Sequence, residues 1–468
     1  MKTNITKNLI MLFLIFSNSI VCMAQSGTCG ENLTWRLEYT TLTISGTGNM
    51  DGYGNYYSEI NAPWYQYRSN IKKVIIEDGV KSIGTNAFVS LNNVDTVILG
   101  KDIGSIGESG FAGCTNLKKI NFPSILTTIY SYAFQSVALD SLSLPNNASI
   151  GSYAFANSKL TYLNVGGTID DNAFRENKNL KTVVIRNGTV GKMAFFECER
   201  LDSLNIQYGV TDIGVGAFQN CYSLKKIKIP STVLRVREEA FFQCKNLEIV
   251  DIAAKIIESK VFISCDNIHS MILREGVNSI ESIPSVLDTL FIPSTLTHFG
   301  FYSRISYGVD KDNNSYSASD GILFDKNKTI LYSFPLKKTG GYSIPNTVEK
   351  IGSGAFWESK LSSIEIPLSV TEIGIDAFVS CEIQTISIPE SVTHIGANAF
   401  TYCKSQTISI PESATEIARG IFSYSLIERI SLPKSWKTIP SSAFYGCEKL
   451  VDIQLNEGIT DIDSDAFG

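Results

Sequence analysis

The chain has 468 residues, more than one compact core usually contains, because such cores stop growing at about 250–300 residues. Hydrophobic residues make up 44% and charged residues 18% of it, a composition typical of folded proteins and not of disordered ones. The net charge is −6 and the lysines and arginines are spread along the chain, whereas a nucleic-acid-binding protein usually has a concentrated basic face. These values predict several domains or a repeat array, and they argue against a nucleic-acid partner.

Residues 1–24 have the pattern of a secretory signal peptide. Two lysines precede the apolar run 9–16, and small residues predict cleavage after Ala24, which leaves Gln25 as the first mature residue. The alternative is a lipoprotein anchored through Cys22, but Val21 is bulky where a lipobox has a small residue. No later segment reaches the roughly 18 unbroken apolar residues that a transmembrane segment needs. We therefore expect the mature chain to be secreted or held at the outer cell surface.

A short phrase recurs from residue 83 to the end of the chain. Its clearest copies are IPLSVTEIGIDAF (366–378) and IPESVTHIGANAF (388–400). Each copy ends on an anchor Phe, and an Ile or Val precedes every anchor by five residues. Neighbouring anchors are 19 to 23 residues apart except across one gap, which is the signature of a solenoid. The anchors are Phe88, Phe111, Phe134, Phe155, Phe174, Phe195, Phe218, Phe241, Phe262, Phe356, Phe378, Phe400, Phe422, Phe444 and Phe467.

Each copy divides into parts that predict one coil. A segment such as LKKIKIP (224–230) has alternating apolar residues and reads as a short strand with one buried face. Proline ends many of these strands, a second extended piece carries the Ile, and we expect the Ala-Phe pair to lie on a short helical or 3-10 turn. Coils stacked about 4.8 Å apart would bury the apolar columns and form one long parallel sheet. The predicted fold is a repeat solenoid, mainly β.

The repeat resembles the BspA-like leucine-rich repeat, whose consensus is LxxIxIPxSVTxIGxxAFxxC. The resemblance covers essentially residues 26–468 and implies a leucine-rich-repeat solenoid. The opening segments 26–35, 42–50 and 62–80 resemble the family's N-terminal cap, which we interpret as a β element over the first coil. The predicted domains are a cap at 25–68, a first repeat array at 69–304, an insertion at 305–345 and a second array at 346–468, which ends in the middle of a repeat.

The gap between Phe262 and Phe356 departs from the pattern. Two copies there keep their strands but have Ser285 and Arg304 at the anchor position. The insertion contains GILFDKNKTILYSF, which predicts a β-hairpin with its turn at Lys326-Asn327. Within the insertion, the motif beginning at Asp310 resembles the start of a calcium loop, but it has Ser315 where such a loop has Gly and Gly321 where it has Glu. The alternative is an Asx-rich turn that leads into the hairpin.

The cysteines and histidines do not form a catalytic or metal-binding pattern. Eight cysteines lie three residues after an anchor Phe, a position that other copies fill with Leu, Val or Ser. We therefore predict buried packing residues with mostly free thiols, since small apolar sites favour Cys. The histidines His269, His298 and His394 belong to separate coils. The sequence predicts no enzyme, no metal and no cofactor.

Two functions are compatible with such a solenoid. The first is protein–protein binding on an extended surface, and the family resemblance implies adhesion to host or matrix proteins. The second is a structural cell-envelope spacer without a specific ligand.

The predicted binding surface consists of outward residues on the strands. Most of one outward column is small and polar, as is typical of a solvated sheet face. The exceptions are Ile249, Ile272 and Phe291, which we expect to form an exposed apolar cluster near the insertion, with Phe301, Tyr302 and Tyr307 beside it. In the alternative, the hairpin covers this cluster. The further candidate partner-binding residues are Asn164, Asn205, Lys226 and Lys228.

Overall fold

The computed structural model shows a β-solenoid of about 17 turns. Several positions discussed above lie outside the described residues. They are nearly all of the predicted signal peptide, Ser285 and Arg304 at the anchor positions, and the aromatic residues Phe301 and Tyr302. The solenoid divides into two compact units, one ending at Ser223 and the other beginning after it. The structure describes residues 24–54, 61–281, 283–284, 286–300 and 305–468.

The first unit begins with three antiparallel strands and continues with parallel coils. A 3-10 turn at Tyr65–Tyr67 connects the two parts. The strands are β1 (Gln25–Gly30), β2 (Leu33–Glu38), β3 (Thr41–Gly46), β4 (Gly48–Asn49), β5 (Lys73–Ile76), β6 (Val80–Ile83), β7 (Thr96–Ile98), β8 (Ser105–Ile106), β9 (Lys119–Ile120), β10 (Thr128–Ile129), β11 (Ser141–Ser143), β12 (Ser149–Ile150), β13 (Tyr162–Val165), β14 (Thr182–Val190) and β15 (Ser203–Ile213).

The antiparallel strands cover the start of the coil stack. Strand β3 pairs with β2 on one side and runs parallel to β5 on the other. Trp64 is buried, and its ring stacks on Phe88 with 5.4 Å between the ring centroids. The Nε1 of Trp64 donates a hydrogen bond of 2.8 Å to the carbonyl oxygen of Ala87. Trp64 therefore extends the phenylalanine column by one position. The sequence pattern did not predict this role, because the pattern is defined by Phe at the anchor position.

The coils of the first unit pair through two separate ladders rather than one sheet. One ladder joins the first strands of the early coils, β3, β5, β7 and β9, and the other joins β4, β6, β8, β10 and β12. The prediction of a mainly β repeat solenoid is confirmed, and the two ladders are separate because the chain turns between the two strands of a coil. Proline, which cannot donate a backbone hydrogen bond, follows several first strands. In β14 and β15, which contain no proline, one strand runs through both positions with register shifts.

The second unit contains parallel coils on both sides of an antiparallel insertion. Strand β25 pairs antiparallel with β26, and β26 pairs antiparallel with β27, which then pairs parallel with β29. The chain turns between β26 and β27 at residues 326–329. The strands are β16 (Lys226–Ile229), β17 (Arg235–Val236), β18 (Ile249–Ile252), β19 (Ile256–Ile257), β20 (Ser270–Leu273), β21 (Ser279–Ile280), β22 (Thr289–Ile292), β23 (His298–Phe299), β24 (Ser306–Val309), β25 (Tyr316–Ser319), β26 (Ile322–Asp325), β27 (Ile330–Ser333), β28 (Thr339–Ser343), β29 (Lys350–Ile351), β30 (Lys360–Glu365), β31 (Glu372–Ile373), β32 (Thr385–Ser387), β33 (His394–Ile395), β34 (Thr407–Ser409), β35 (Glu416–Ile417), β36 (Arg429–Ser431), β37 (Thr438–Ile439), β38 (Asp452–Gln454) and β39 (Asp461–Ile462).

The anchor phenylalanines form the centre of the core. In the first unit, neighbouring rings from Phe88 to Phe218 are stacked with centroids 4.9 to 5.4 Å apart. The prediction that every anchor is buried is confirmed except at Phe467, whose side chain is 47% exposed. The Ile or Val five residues earlier is also buried, except that Ile417 is half-buried and Ile462 is exposed. Phe467 and Ile462 belong to the last described coil.

The return segments around the anchors are hydrogen-bonded turns rather than helices. Around Phe111, Ser109 and Gly113 have positive φ angles of 53° and 71°, and most coils have positive φ at the same two positions. Left-handed residues interrupt a right-handed helix, so the predicted helical or 3-10 turn does not form there. Instead, the amide of Phe111 donates to the carbonyl oxygen of Ala133 in the next coil at 2.8 Å. The return turns thus form a further hydrogen-bonded ladder along the stack.

Candidate binding face on the strands

The first strands of the second unit alternate buried and exposed side chains. In β16, Ile227 and Ile229 are buried while Lys226 and Lys228 are exposed. This alternation follows from the period of two in an extended chain, since successive side chains point to opposite faces of the sheet. The exposed side chains of β16, β18, β20 and β22 constitute what we call the strand face.

Strand pairing places the predicted residues in two neighbouring columns. Lys226 pairs with Ile249, and Lys228 pairs with Asp251, which in turn pairs with Ile272. Ile249 and Ile272 are therefore diagonal neighbours on adjacent strands, roughly 7–8 Å apart in such a sheet and within reach of each other's side chains. The two isoleucines lie beside the two lysines on one continuous surface.

The apolar residues of the strand face are open to solvent. The side chains of Ile249, Ile272 and Phe291 are 39%, 40% and 56% exposed, so the inserted strands do not bury them. Phe291 lies on β22, which pairs with β24 and not with β20. It is opposite Gly308, where a Cβ atom would come within 2.9 Å of the ring. Glycine at 308 thus allows the ring to lie flat over the neighbouring strand. The nearby Tyr307 is buried.

An ion pair lies next to the isoleucines. Arg274 binds Asp251 through two hydrogen bonds, Nε to Oδ1 at 2.8 Å and Nη2 to Oδ2 at 3.0 Å. This pairing lowers the pKa of Asp251, and Lys228 lowers it further. Because Arg274 neutralises the carboxylate, the exposed Lys226 and Lys228 give this part of the strand face a positive charge.

The two predicted asparagines of the first unit lie in one outward column but differ in accessibility. Asn164 and Asn205 both pair with Val184, one from each side. Asn205 is exposed, whereas Asn164 is half-buried and its Oδ1 accepts a hydrogen bond from Nη1 of Arg186. Arg186 also donates through Nη2 to the carbonyl oxygen of Leu144 at 2.6 Å. Part of the hydrogen-bonding capacity of Asn164 is therefore used within the fold.

The segment that resembles a calcium loop forms Asx turns. Oδ1 of Asp310 accepts a hydrogen bond of 2.9 Å from the amide of Asp312. Oδ1 of the buried Asn313 accepts from the amides of Ser315 and Tyr316, both at 2.8 Å. These hydrogen bonds match the Asx-rich turn, because the side-chain oxygens bind backbone amides of the same loop.

The cysteines after the anchors have a hydrogen-bonding role that the sequence did not predict. The predicted burial is confirmed for seven of them, while Cys447 is half-buried. Cys114 and Cys198 donate from Sγ to the carbonyl oxygens of Phe88 and Phe174, the anchors of the preceding coils. In other coils, Ser158 and Asn177 donate to the corresponding anchor carbonyl. In these coils the Cys, Ser or Asn side chain at this position thus acts as a small donor, whereas Leu91 and Val137 fill the same position without a donor.

Burial keeps the thiols of Cys114 and Cys198 protonated. It raises the pKa of Cys114 and Cys198 to about 12, because the apolar surroundings disfavour the charged thiolate. Among the described residues, no group of three or more His, Cys, Asp and Glu side chains is arranged to hold a metal ion. The described part of the chain likewise contains no helix with the length and hydropathy of a membrane span.

The stacked parallel coils, the phenylalanine column and the outward strand face define a repeat solenoid with an extended surface. The sequence profile of the BspA type leucine rich repeat region, six copies long, matches residues 58–181, 167–284, 331–405 and 371–468. These matches cover more than half of the chain, so the protein belongs to the BspA type leucine-rich-repeat family. The resemblance inferred from the sequence is confirmed.

Several solved structures are similar to this chain, whereas no curated protein matches it. A leucine-rich repeat protein from Bacteroides ovatus is 17% identical, with 91% of this chain and 99% of that chain covered and a TM-score of 0.45. A leucine rich cell surface protein from Faecalibacterium prausnitzii is 22% identical, with coverages of 92% and 94% and a TM-score of 0.43. A leucine-rich repeat protein from Eubacterium ventriosum is 21% identical, with coverages of 94% and 84% and a TM-score of 0.28.

Proposed function

We propose that this protein is exported and uses its strand face to bind a protein partner in adhesion at the cell surface. The observation that carries the proposal is the exposure of Ile249, Ile272 and Phe291, of which the two isoleucines lie beside Lys226 and Lys228. Exposed apolar side chains near the centre of a polar and charged surface are typical of protein-binding sites. The positive charge favours a partner with an acidic patch, because complementary charges speed association.

Export is supported by the first 24 residues of the sequence. Their order of charged, apolar and small residues is that of a secretory signal peptide. A secreted or surface location would give the strand face access to host or matrix proteins. N-terminal sequencing of the mature protein tests this part of the proposal, with Gln25 expected as the first residue. Recovery of the uncleaved chain inside the producing cells would contradict it.

Binding is tested with the whole mature chain and a Phe291→Ala variant. Immobilised protein is incubated with an extracellular-matrix preparation, and any captured protein is then purified and titrated. We expect Phe291→Ala to weaken that purified interaction at least tenfold, as truncation of a buried interface aromatic often does. Ile98→Ala is the matched control, because Ile98 is also on a strand and 41% exposed but lies in the first unit.

Two outcomes would contradict the binding proposal. In the first, Phe291→Ala lowers the thermal unfolding midpoint and leaves binding unchanged, so that the side chain serves the fold. In the second, the mature chain captures no partner at micromolar concentration, which favours the structural spacer instead. Equal losses of partner affinity in Ile98→Ala and Phe291→Ala would show that the partner does not bind specifically to the strand face of the second unit.

A further inference from the structure

The return turns of the second unit form a groove that is separate from the strand face. It has a volume of about 350 Å³ and crosses the turns of five successive coils, from the anchor Phe356 to the anchor Phe444. We call it the aromatic groove. The side chains that give it its character are Trp357, Asp376, Asn398, Tyr402, Tyr424 and Tyr445.

Four exposed aromatic rings line the aromatic groove. Tyr402 and Tyr424 each follow an anchor by two residues, and their rings stack with centroids 4.8 Å apart. Tyr445 meets Tyr424 edge to face at 5.4 Å. Trp357 and Tyr445 lie near the two ends, and all four rings are 37 to 52% exposed. Solvated aromatic rings concentrated in one groove provide a large apolar contact surface next to polar groups.

The other side chains that give the groove its character are polar and carry little charge. Asp376 and Asn398 each precede an anchor by two residues and are half-buried. Asp376 is the one charged side chain among the described residues that line the groove. The lining also contains the hydroxyls of Thr401 and Ser423, which are bonded to backbone carbonyl oxygens at 3.0 and 2.7 Å. The groove thus offers carboxylate, amide and phenol groups to a ligand without a basic side chain.

The backbone of the groove is already paired. The amides of Asp376, Asn398, Tyr402 and Tyr424 all donate to carbonyl oxygens of the next coil, at 2.7 to 3.1 Å. A peptide that binds as an added strand needs free backbone donors and acceptors at a sheet edge. Recognition in the aromatic groove must therefore come from side chains, through ring contacts and polar side-chain groups.

We propose that the aromatic groove binds a linear, neutral polysaccharide. A sugar ring has apolar C–H faces that pack on aromatic rings and hydroxyls at its edge that bond to carboxylate and amide groups, so both the rings and the polar side chains of the groove have a partner. The coils repeat at about 4.8 Å, close to the length of one sugar unit in an extended β-linked chain. Four coil steps, about 19 Å, accommodate several successive units. The lack of lysine and arginine in the lining favours a neutral chain over an anionic one.

Affinity electrophoresis of the mature chain tests this inference. The native gels contain, one at a time, soluble β-1,4-glucan, β-1,4-mannan, β-1,4-xylan and α-1,4-glucan. We expect at least one β-linked polysaccharide to retard the protein. Tyr402→Ala and Trp357→Ala should each weaken the apparent affinity by roughly tenfold, as loss of a central aromatic contact does. Tyr402→Phe, which keeps the stacked ring, should retain most of the binding.

Tyr39→Ala is the matched control. Tyr39 is exposed and has a φ of 52°, close to the 56° of Tyr402, so both substitutions change an exposed tyrosine in a left-handed turn. We expect Tyr39→Ala to bind like the unsubstituted protein, and the thermal unfolding midpoint of Tyr402→Ala to stay within a few degrees. The proposal is overturned if no polysaccharide retards the protein, or if Tyr39→Ala and Tyr402→Ala lose binding equally. It is also overturned if a proline-rich peptide, whose extended helix suits aromatic grooves, binds the groove and the polysaccharides do not.

Discussion

The side-chain amide of Asn177 donates hydrogen bonds of 2.8 Å to the carbonyl oxygens of Phe155 and Phe174. Phe155 and Phe174 are consecutive anchors, so this one buried side chain joins two coils. Cys114 and Ser158 occupy the same position after their own anchors and bond the preceding anchor carbonyl in the same way. In these coils, the residue three positions after the anchor is therefore a small donor that satisfies a buried carbonyl group.

Replacing Asn177 by Leu should destabilise the first unit. The change removes both hydrogen bonds and leaves two buried carbonyl oxygens without this donor, which costs about 2–3 kcal/mol of unfolding free energy. Asn177→Cys should cost less, because a thiol at this position still donates to the preceding anchor in other coils. Urea unfolding followed by circular dichroism measures both variants. Equal stabilities of the Leu and Cys variants would contradict a donor role.

Replacing Phe218 by Ala should cost about 3–5 kcal/mol, because it leaves a large cavity in a close-packed column. Phe218 is fully buried and its ring stacks on Phe195 with centroids 5.1 Å apart. Phe467→Ala is the internal control, since this anchor is half exposed, and it should cost about 1 kcal/mol. Chemical unfolding of the three proteins gives the comparison. If Phe467→Ala lowers the unfolding free energy as much as Phe218→Ala does, burial of the ring within the column is not what makes Phe218 important.

The left-handed residues of the return turns can be tested at Asn157. This residue is exposed and has a φ of 54°, and its amide bonds the next coil at 2.8 Å. Asn157→Val should destabilise the fold by about 1–2 kcal/mol, because a left-handed conformation brings Cβ close to the following carbonyl. Asn157→Gly should be nearly neutral, since glycine adopts positive φ without this clash. A valine variant as stable as the glycine variant would show that this turn has no such requirement.

Stability should fall in alkaline solution because of the buried thiols. The ordinary thiol pKa is 9.0, and burial raises the pKa of Cys114 and Cys198 to about 12. Between these values the unfolded chain loses thiol protons that the folded chain retains, so the unfolding free energy decreases as pH rises from about 9 towards 12. Below pH 9 this contribution is fully present.

The comparison that isolates this effect uses a Cys114→Ala, Cys198→Ala double variant. Its unfolding free energy should fall less steeply than that of the unsubstituted protein between about pH 8 and about pH 10. The absolute stability of the variant is lower, but the slope with pH is the informative quantity. Identical slopes would mean that these two thiols do not contribute to the alkaline loss.

The coil repeat and the residues of the core could be predicted from the amino-acid sequence. Phe and Ile recur at fixed separations, and identical apolar spacing has one efficient solution, which is to stack the coils and align the columns. The burial of Phe218 and Phe400 follows directly from that periodicity. Alternation within strands likewise predicted that Lys226 and Lys228 point outward. These features depend on the local spacing of apolar and polar residues, which can be read directly from one sequence.

The features that depend on contacts between neighbouring coils could not be predicted from the sequence and became visible in the three-dimensional structure. The left-handed residues beside each anchor vary in type, from Ser109 to Gly113, because backbone pairing with the next coil imposes the conformation. Cys, Ser and Asn all act as donors three residues after an anchor. This shared role is recognised only when the structure shows the carbonyl oxygen of the preceding anchor beside the side chain. Tyr402 and Tyr424 are far apart in sequence and meet because the stacking of coils brings them within ring contact. The sequence does not show which residues of neighbouring coils contact each other, because the stacking of the coils determines these pairs.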